Sequence, residues 1–406
     1  MKYEKKEGGI CAPAGFRAAG THAGIRVNGE KKDLILIASD AMCSAAGVYT
    51  TNKVYGAPIT VTRENIKDGR ACAVVCNSGN ANTCAPNGIE IARQACKLTA
   101  ESLGCNASDV IVASTGVIGE ELSIKPFEES IPKLAEALSY DGSGDAAQGI
   151  MTTDTVKKEI AFSFCLGEKI CTIGAIAKGS GMIHPDMATM LAFITTDAAI
   201  SSEMLKKALV SDVKDSFNQL SVDGDTSTND MCMILANGMA GNELIDRENE
   251  DFGVFCEALH EVTAYITKCL ASDGEGASKL IVCNVNGAPD KDTARKVAKT
   301  VVSSNLIKAA IFGEDANWGR VLCAVGYTKA DFSADNVDLD ISSEFGKIPV
   351  CRASAYADHS EELAAEILKS EEIVLDIDLN DGQYSSTAWG CDLTYDYVKI
   401  NGDYRT

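Results

Sequence analysis

A glycine-rich segment in the middle of the chain is the stretch whose residue types could do chemistry. It runs over Lys178–Phe193 as KGSGMIHPDMATMLAF, with two glycines and a proline ahead of Ala188 and Thr189. Glycine adopts backbone conformations closed to other residues and proline stiffens the approach, so this segment could hold the Ala188–Thr189 peptide under strain, with a hydroxyl beside its carbonyl. The same letters fit a glycine-rich turn that leads into a buried strand. From these residues alone, the turn is the favoured interpretation.

Common signatures of other chemistries are missing from the sequence. There is no G-x-x-x-x-G-K-[ST] loop, no G-x-G-x-x-G after a strand and no G-x-S-x-G elbow. No C-x-x-C occurs and the four histidines are scattered, so we predict no metal site. The sixteen cysteines are spread over the chain, many of them in apolar surroundings, which is typical of reduced, buried thiols.

The Lys178–Phe193 segment closely resembles the self-cleavage segment of the ornithine acetyltransferase family, the glutamate N-acetyltransferases of arginine biosynthesis. In that family the precursor cuts itself before the threonine of an A-T-M-L motif. Further stretches resemble the family's in the same order along nearly the whole chain, which makes the resemblance very specific. These stretches are PAGFRAAG from Pro13, NSGNANTC from Asn77, STGVIG from Ser114, MTTDT from Met151, VDGDTSTND from Val222, DGEGASK from Asp273, GEDANWGR from Gly313 and NGDYRT from Asn401.

The resemblance implies a self-processed enzyme with an N-terminal threonine. The Thr189 hydroxyl would attack the Ala188 carbonyl, and water would hydrolyse the resulting ester. This would free an α-amine, whose pKa near ~8 lets it act as base for its own hydroxyl. The mature Thr189 would take acetyl from N-acetyl-L-ornithine, release L-ornithine and pass the acetyl to L-glutamate. The resemblance implies no cofactor, and it leaves open whether acetyl-CoA also serves as a co-substrate, because members with and without that activity share these motifs.

The resemblance also assigns roles to individual residues. Thr115 and Gly116 match the oxyanion hole, which without the resemblance would be an ordinary turn after a strand. Glu275 matches the carboxylate that meets the substrate's amino group. The full set of residues that match substrate contacts is Thr152, Lys178, Thr189, Glu275, Asn401 and Thr406. Thr152 is chosen over its neighbour Thr153 by alignment offset, and the two stay open as alternatives.

Charge and composition exclude several classes of protein. The chain has 406 residues, with 37 Lys and Arg against 58 Asp and Glu, for a net charge of −21. Such acidity, without a basic stripe, argues against nucleic-acid binding. No apolar run approaches the ~18 residues of a membrane helix, and the N-terminus lacks the apolar region of a signal peptide. We therefore predict a cytoplasmic protein with no nucleic-acid or membrane partner.

The elements that must position these residues alternate short β-rich runs with amphipathic helices. Strands are predicted at Lys32–Ser39, Pro58–Thr62, Arg70–Cys76, Val110–Ala113, Lys158–Cys165, Lys169–Ala177, Leu191–Ile194, Lys279–Val285, IVLDIDL (373–379) and TYDYVKI (394–400). Helices are predicted at Gly88–Leu103, Phe127–Leu138, Ser202–Leu220, Asp251–Cys269, Asp292–Ser303 and Glu361–Ser370. The order lacks a strict β-α-β rhythm, so the fold class is mixed α/β (α+β) rather than doubly wound.

The resemblance refines this fold class into an architecture. It implies an αββα-type sandwich core of the N-terminal-nucleophile-like aminopeptidase superfamily over residues 1–285. A smaller C-terminal α/β domain over 286–406 would return its tail to the active site. Self-cleavage would yield an α chain of residues 1–188 and a β chain of residues 189–406, which pair into an α2β2 heterotetramer.

Two alternatives belong to other functional classes. A self-processed aminopeptidase or amidase would use the same nucleophile with water as acceptor, but the match of Glu275 and of the C-terminal residues favours an amino-acid acceptor. A non-catalytic acidic binding protein would never cleave. The joint occurrence of Thr189, Thr115 and Gly116 disfavours it.

Overall fold

Strands make up much of the chain that the computed structural model describes, which comprises residues 3–26, 31–184 and 190–403. In chain order they are β1 (Glu4–Lys6), β2 (Phe16–Thr21), β3 (Leu34–Tyr49), β4 (Arg70–Asn77), β5 (Val110–Ser114), β6 (Lys158–Leu166), β7 (Lys169–Lys178), β8 (Leu191–Thr196), β9 (Leu220–Ser221), β10 (Met231–Ala236), β11 (Leu280–Ala288), β12 (Asp338–Ser343), β13 (Gly346–Arg352), β14 (Ala355–Tyr356), β15 (Glu372–Asp378) and β16 (Tyr384–Cys391).

The α-helices lie between these strands and at the C-terminal end of the described chain. They are α1 (Ala57–Asn65), α2 (Gly88–Leu103), α3 (Lys125–Glu136), α4 (Ser143–Ile150), α5 (Ser202–Asp212), α6 (Glu250–Ser272), α7 (Lys291–Ser303), α8 (Asn305–Phe312), α9 (Trp318–Gly326), α10 (Glu361–Ile367) and α11 (Tyr395–Gly402). Among the described residues, no helix combines the length and the apolar composition that crossing a membrane requires.

The first of two compact units is built on a nine-stranded mixed sheet and comprises Met1–Gly179, Asp186–Lys214 and Thr226–Ile266. Its strand order is β1-β6-β7-β8-β10-β3-β4-β5, with β2 also paired to β3. Side chains alternate between the faces of a strand. Leu34 and Leu36 of β3 therefore join a cluster with residues of α2 and α3, whereas Ile35 and Ile37 join a cluster with residues of α4. The sheet thus carries an apolar core on each face.

The second unit is built on a seven-stranded sheet and comprises Ser180–Pro185, Asp215–Asp225 and Thr267–Thr406. Its strand order is β14-β13-β12-β15-β11-β16-β9. Fully buried valines of α7 pack with inward residues of β11 in one apolar cluster. The segment Asp215–Asp225 belongs to this unit because β9 pairs in parallel with β16, through Leu220 opposite Trp389.

The structure confirms the mixed α/β fold class, with parallel and antiparallel pairs in both sheets. The predicted domain boundary, between residues 285 and 286, falls inside β11 (Leu280–Ala288). This strand lies between β15 and β16 in the second sheet. The glycine and proline at 287–289, which suggested the boundary, instead belong to the end of β11 and the turn that follows it.

Two predicted strands are wrong because they are helices. Pro58–Thr62 lies in α1, where Gly56 is the extended N-cap and Pro58 occupies a first-turn position that suits its fixed φ. TYDYVKI (394–400) lies in α11, where the Thr394 side chain caps the helix by accepting from the Tyr397 N–H. The helix predicted over Ser202–Leu220 ends earlier, at Asp212, and the Ser201 side chain caps its start by accepting from the Met204 N–H.

Candidate functional site

The loop after β5 carries the predicted oxyanion residues, Thr115 and Gly116. Gly116 has φ +133°, a value that favours glycine. A Cβ at this position would lie 2.3 Å from the carbonyl carbon of Gly79 and 2.6 Å from the Asn80 nitrogen, both of which are backbone atoms. Glycine is therefore required at Gly116 by its backbone conformation and by the closeness of the neighbouring loop.

The hydrogen bonds of this loop leave two donors unused. The Thr115 N–H donates to the Asn77 carbonyl at 3.0 Å, and the Val117 N–H donates to the Gly79 carbonyl at 3.3 Å. Among the described residues, neither the Gly116 N–H between them nor the Thr115 hydroxyl has an acceptor. A fixed N–H and a hydroxyl on adjacent residues can stabilise a negatively charged oxygen.

Thr152 and Lys178 lie together in the first unit. The Lys178 Nζ donates to the Thr152 Oγ1 at 3.1 Å, a contact that favours Thr152 over Thr153 as the partner of this lysine. Asp154 binds the backbone at both places: its Oδ2 accepts from the Thr152 N–H at 3.0 Å, and its Oδ1 accepts at 2.7 Å from the N–H of Gly179, the residue after Lys178. Lys158 donates to the same Oδ1 at 2.7 Å. Since the side chains of Asp154 and Lys158 are both 0% exposed, this is a buried ion pair.

Two carboxyl groups near Lys178 have pKa values that are shifted in opposite directions. Burial opposes charge on Asp154, but the cations Lys158 and Lys178 and the Gly179 N–H outweigh it and hold the pKa of Asp154 below its usual value. Burial raises the pKa of Asp230 well above its usual value, and Lys178 only partly opposes this. The surroundings therefore favour the charged form of Asp154 and the protonated form of Asp230. Burial also lowers the pKa of Lys178.

Glu275 and Asn401 lie together in the second unit. The Asn401 Nδ2 donates to the Glu275 Oε2 at 2.8 Å, and the Glu275 side chain is largely buried. The Glu275 N–H donates to the Ser180 carbonyl at 2.9 Å, which places the carboxylate against Gly181. A Cβ on Gly181 would lie 2.3 Å from the Glu275 carboxyl carbon. The glycine thus leaves the space in which this carboxylate sits.

Replacing Gly181 by alanine should raise the KM for an amine-bearing substrate and leave the fold intact. The new methyl group meets the end of a flexible side chain, so the Glu275 carboxylate moves and the backbone stays in place. Steady-state kinetics, with thermal unfolding as the check on folding, measure this effect. The matched comparison is Glu275→Gln, alone and combined with Gly181→Ala. Because both changes act on one carboxylate, their effects on KM should be less than additive. Additive effects would show that Gly181 acts elsewhere.

Asp223 was not predicted as a site residue, and the structure places it beside the predicted cleavage segment. Its carboxylate accepts from the N–H groups of Met182 at 2.6 Å and Ile183 at 2.9 Å. Met182 has φ +55°, which is uncommon for a residue other than glycine. His184 follows, with Nδ1 3.0 Å from the Ser221 Oγ. Burial and the nearby Lys299 lower the pKa of His184 to about 4, so it is neutral near pH 7.

Three predicted residues lie outside the described part of the chain: Ala188 and Thr189 of the cleavage position, and Thr406 at the C-terminus. The structure therefore brings together Thr115 with Gly116, Thr152 with Lys178, and Glu275 with Asn401. The roles of all nine residues stay predictions.

Comparison with known proteins places the chain among arginine-biosynthesis proteins. The ArgJ family model matches residues 17–406. The arginine biosynthesis bifunctional protein ArgJ of Symbiobacterium thermophilum is 51% identical over 401 residues, which cover 98% of this chain and 99% of that protein. ArgJ 1 of Clostridium acetobutylicum is 49% identical over 392 residues, 96% of each chain. The crystal structure of ArgJ from Bacillus halodurans matches 52% of this chain and 97% of that chain, with 43% identity and a TM-score of 0.50.

Proposed function

The chain belongs to the ArgJ family of arginine-biosynthesis proteins, and we propose that it moves an acetyl group from N-acetyl-L-ornithine to L-glutamate through an acetyl-threonine intermediate. It is an enzyme, a glutamate N-acetyltransferase, which excludes the non-catalytic binding protein. The observation that carries the proposal is the match to ArgJ relatives over almost the entire length of both chains, at about half identity. Both of these relatives are named as arginine-biosynthesis proteins, which disfavours the aminopeptidase alternative.

The unused donors of the loop after β5 support the chemistry of acetyl transfer. The Thr189 hydroxyl gives its proton to its own α-amine and attacks the acetyl carbonyl. The Thr115 hydroxyl and the Gly116 N–H stabilise the oxygen that becomes negative. The C–N bond then breaks, ornithine leaves with the proton, and the acetyl stays on Thr189 as an ester. The glutamate amine attacks this ester in the second half-reaction, so that the same donors act twice.

The two paired groups of side chains suit the charges of an amino-acid substrate. The Lys178 ammonium and the Thr152 hydroxyl, already joined at 3.1 Å, can bind an oxygen-bearing group such as a carboxylate. The Glu275 carboxylate, oriented by Asn401, can bind an ammonium group. Thr406 is proposed to complete these contacts.

Self-processing and assembly belong to the same proposal. The chain would cut itself between Ala188 and Thr189, and its two pieces, residues 1–188 and 189–406, would stay paired in an α2β2 assembly. It would work in the cytoplasm without a cofactor. The Asp223 clamp on Met182 and Ile183 supports the processing step, because it fixes the backbone a few residues before this bond.

A transfer assay with three arms tests the activity. Purified protein should form N-acetylglutamate and ornithine in equal amounts from N-acetylornithine and glutamate. A second arm with acetyl-CoA and glutamate, without N-acetylornithine, decides whether acetyl-CoA is also a donor. A third arm offers an unblocked peptide. Release of amino acids from the peptide, with no transfer in the first arm, would contradict the proposal and favour the aminopeptidase.

A further inference from the structure

Asn229 is a buried residue, just before β10, whose side chain joins three segments of the first unit. Its Nδ2 donates to the Ala81 carbonyl at 2.5 Å and to the Ser114 carbonyl at 3.0 Å. Its Oδ1 accepts from the hydroxyls of Thr83 and Thr228, each at 2.6 Å. Both hydrogens of the amide group and both lone pairs of its oxygen are therefore used. No rotation of the side chain preserves these four bonds.

The two loops that Asn229 joins are also bonded to each other. The Thr115 N–H donates to the Asn77 carbonyl, and the Ala81 N–H donates to the Val117 carbonyl at 2.9 Å. The Ser114 Oγ donates to the Asn77 Oδ1 at 2.6 Å. The bonds of this network hold the backbone on either side of Gly116. Among the described residues, none of them takes up the Gly116 N–H. Ser114, whose carbonyl Asn229 binds, immediately precedes the Thr115–Gly116 pair.

We infer that Asn229 is the positioning residue that holds the donors of the oxyanion hole, Thr115 and Gly116, in their orientation. An oxyanion hole works only if its donors already point to where the charge develops. The Ser114 carbonyl and the Thr115 N–H belong to the same peptide unit. A hydrogen bond that fixes this carbonyl therefore fixes the direction in which the following donors point. The inference rests on the proposed function, because it assumes that these donors serve acyl transfer.

The position of Asn229 in the chain extends the inference to the processed enzyme. Thr115 and Gly116 precede the proposed cut between residues 188 and 189, whereas Asn229 follows it. After processing, the β chain would hold the oxyanion hole of the α chain through the bonds to Ala81 and Ser114. Each piece alone would therefore lack an oxyanion hole whose donors are held in place. Gly56 makes room for this contact, since a Cβ there would lie 2.6 Å from the Asn229 Nδ2.

The test is Asn229→Asp, which keeps the shape and the acceptor but replaces the donor facing the two carbonyls. We expect kcat to fall about 10- to 100-fold in both half-reactions and KM to change by less than twofold. This fall in kcat is somewhat smaller than the ~10²–10³-fold fall that follows outright loss of a donor.

Thr62→Val is the matched control. It replaces a buried hydroxyl that accepts from the Val112 N–H at 2.9 Å and donates to the Val112 carbonyl at 2.7 Å, in the same strand as Ser114. It should lower thermal stability and keep kcat.

The outcomes separate the inference from the function on which it rests. A wild-type protein that transfers no acetyl group contradicts the proposed function. An active wild type whose Asn229→Asp variant loses no more kcat than Thr62→Val, or changes only KM, overturns the role of Asn229. If Asn229→Asp does not fold, Thr83→Val decides, because it removes only one of the four bonds. It should lower kcat several-fold at unchanged KM, and an unchanged kcat would overturn the inference.

Discussion

Replacing Thr189 by alanine is expected to leave a single uncut chain of 406 residues with no acetyl transfer. The change removes the hydroxyl that attacks the Ala188 carbonyl, so neither the cut nor the free N-terminal nucleophile can form. A denaturing gel and N-terminal sequencing measure the first effect, and the transfer assay measures the second. Wild-type protein should instead give two pieces, the larger of which begins at Thr189.

Thr189→Ser is the matched control for this change. Serine keeps the hydroxyl and loses the methyl group that restricts χ1, so that the variant should still cut itself, more slowly, and keep part of its activity. Cleavage between residues 188 and 189 in the alanine variant would show that Thr189 is not the nucleophile. So would a serine variant as inert as alanine, provided that it folds.

Replacing Gly116 by alanine is expected to lower kcat by about 10²–10³-fold, the usual effect of losing an oxyanion-hole donor. The new Cβ would collide with the backbone of Gly79 and Asn80, which cannot turn aside as a side chain can. The φ of +133° adds strain. The loop must therefore shift, and with it the Gly116 N–H. Steady-state kinetics at saturating substrate, with thermal unfolding in parallel, measure the two effects.

Gly119→Ala is the matched control, three residues further along the same loop. Its φ of +85° also disfavours alanine, but nothing lies within 4 Å of a Cβ at that position. The control should therefore lose about 1–2 kcal/mol of stability and keep kcat. Equal losses of kcat in the two variants would mean that backbone strain, and not displacement of the Gly116 donor, lowers the rate.

The elements that sequence analysis predicted well are those whose own residues determine them. The helix over Gly88–Leu103 matches α2 at both ends, because its apolar residues recur at helical spacing and Gly104 ends it in the left-handed conformation. The hairpin of β6 and β7 was also predicted within one residue at each end. In both cases the period of the apolar residues reflects the face that is buried.

The error at TYDYVKI arose because the local pattern had no buried face to define it. TYDYVKI alternates like a strand, but Tyr395 and Val398 are 83% and 69% exposed, so that their spacing does not mark a buried face. The helix α11 is set instead by the cap of Thr394. The boundary predicted between residues 285 and 286 falls inside β11 for a different reason. A glycine–alanine–proline run resembles a linker, and only the pairing of β11 with β15 and β16 shows that it closes a central strand.

Sequence motifs predict the reactive residues of the candidate site, whose roles stay predictions, but they do not show the contacts that support these residues. Thr115, Gly116, Lys178 and Glu275 belong to motifs that resemble a family. Asn229 and Asp154 also lie in such motifs, but the motifs do not show what their side chains contact. The partners Thr83 and Ser114 of Asn229 lie 146 and 115 residues away in the chain. Gly179, the partner of Asp154, lies 25 residues on, and β6 and β7 bring it back to Asp154. Long-range contacts of this kind follow from sheet register, which the sequence does not state.

The central claim is that Thr189 carries the acetyl group between the two substrates. Its most direct test is the intact mass of the residue 189–406 chain after incubation with N-acetylornithine in the absence of glutamate. The account predicts the gain of one acetyl group on that chain, located at Thr189, and its loss when glutamate is added. A residue 189–406 chain that stays unmodified while the same protein sample transfers acetyl to glutamate would contradict it.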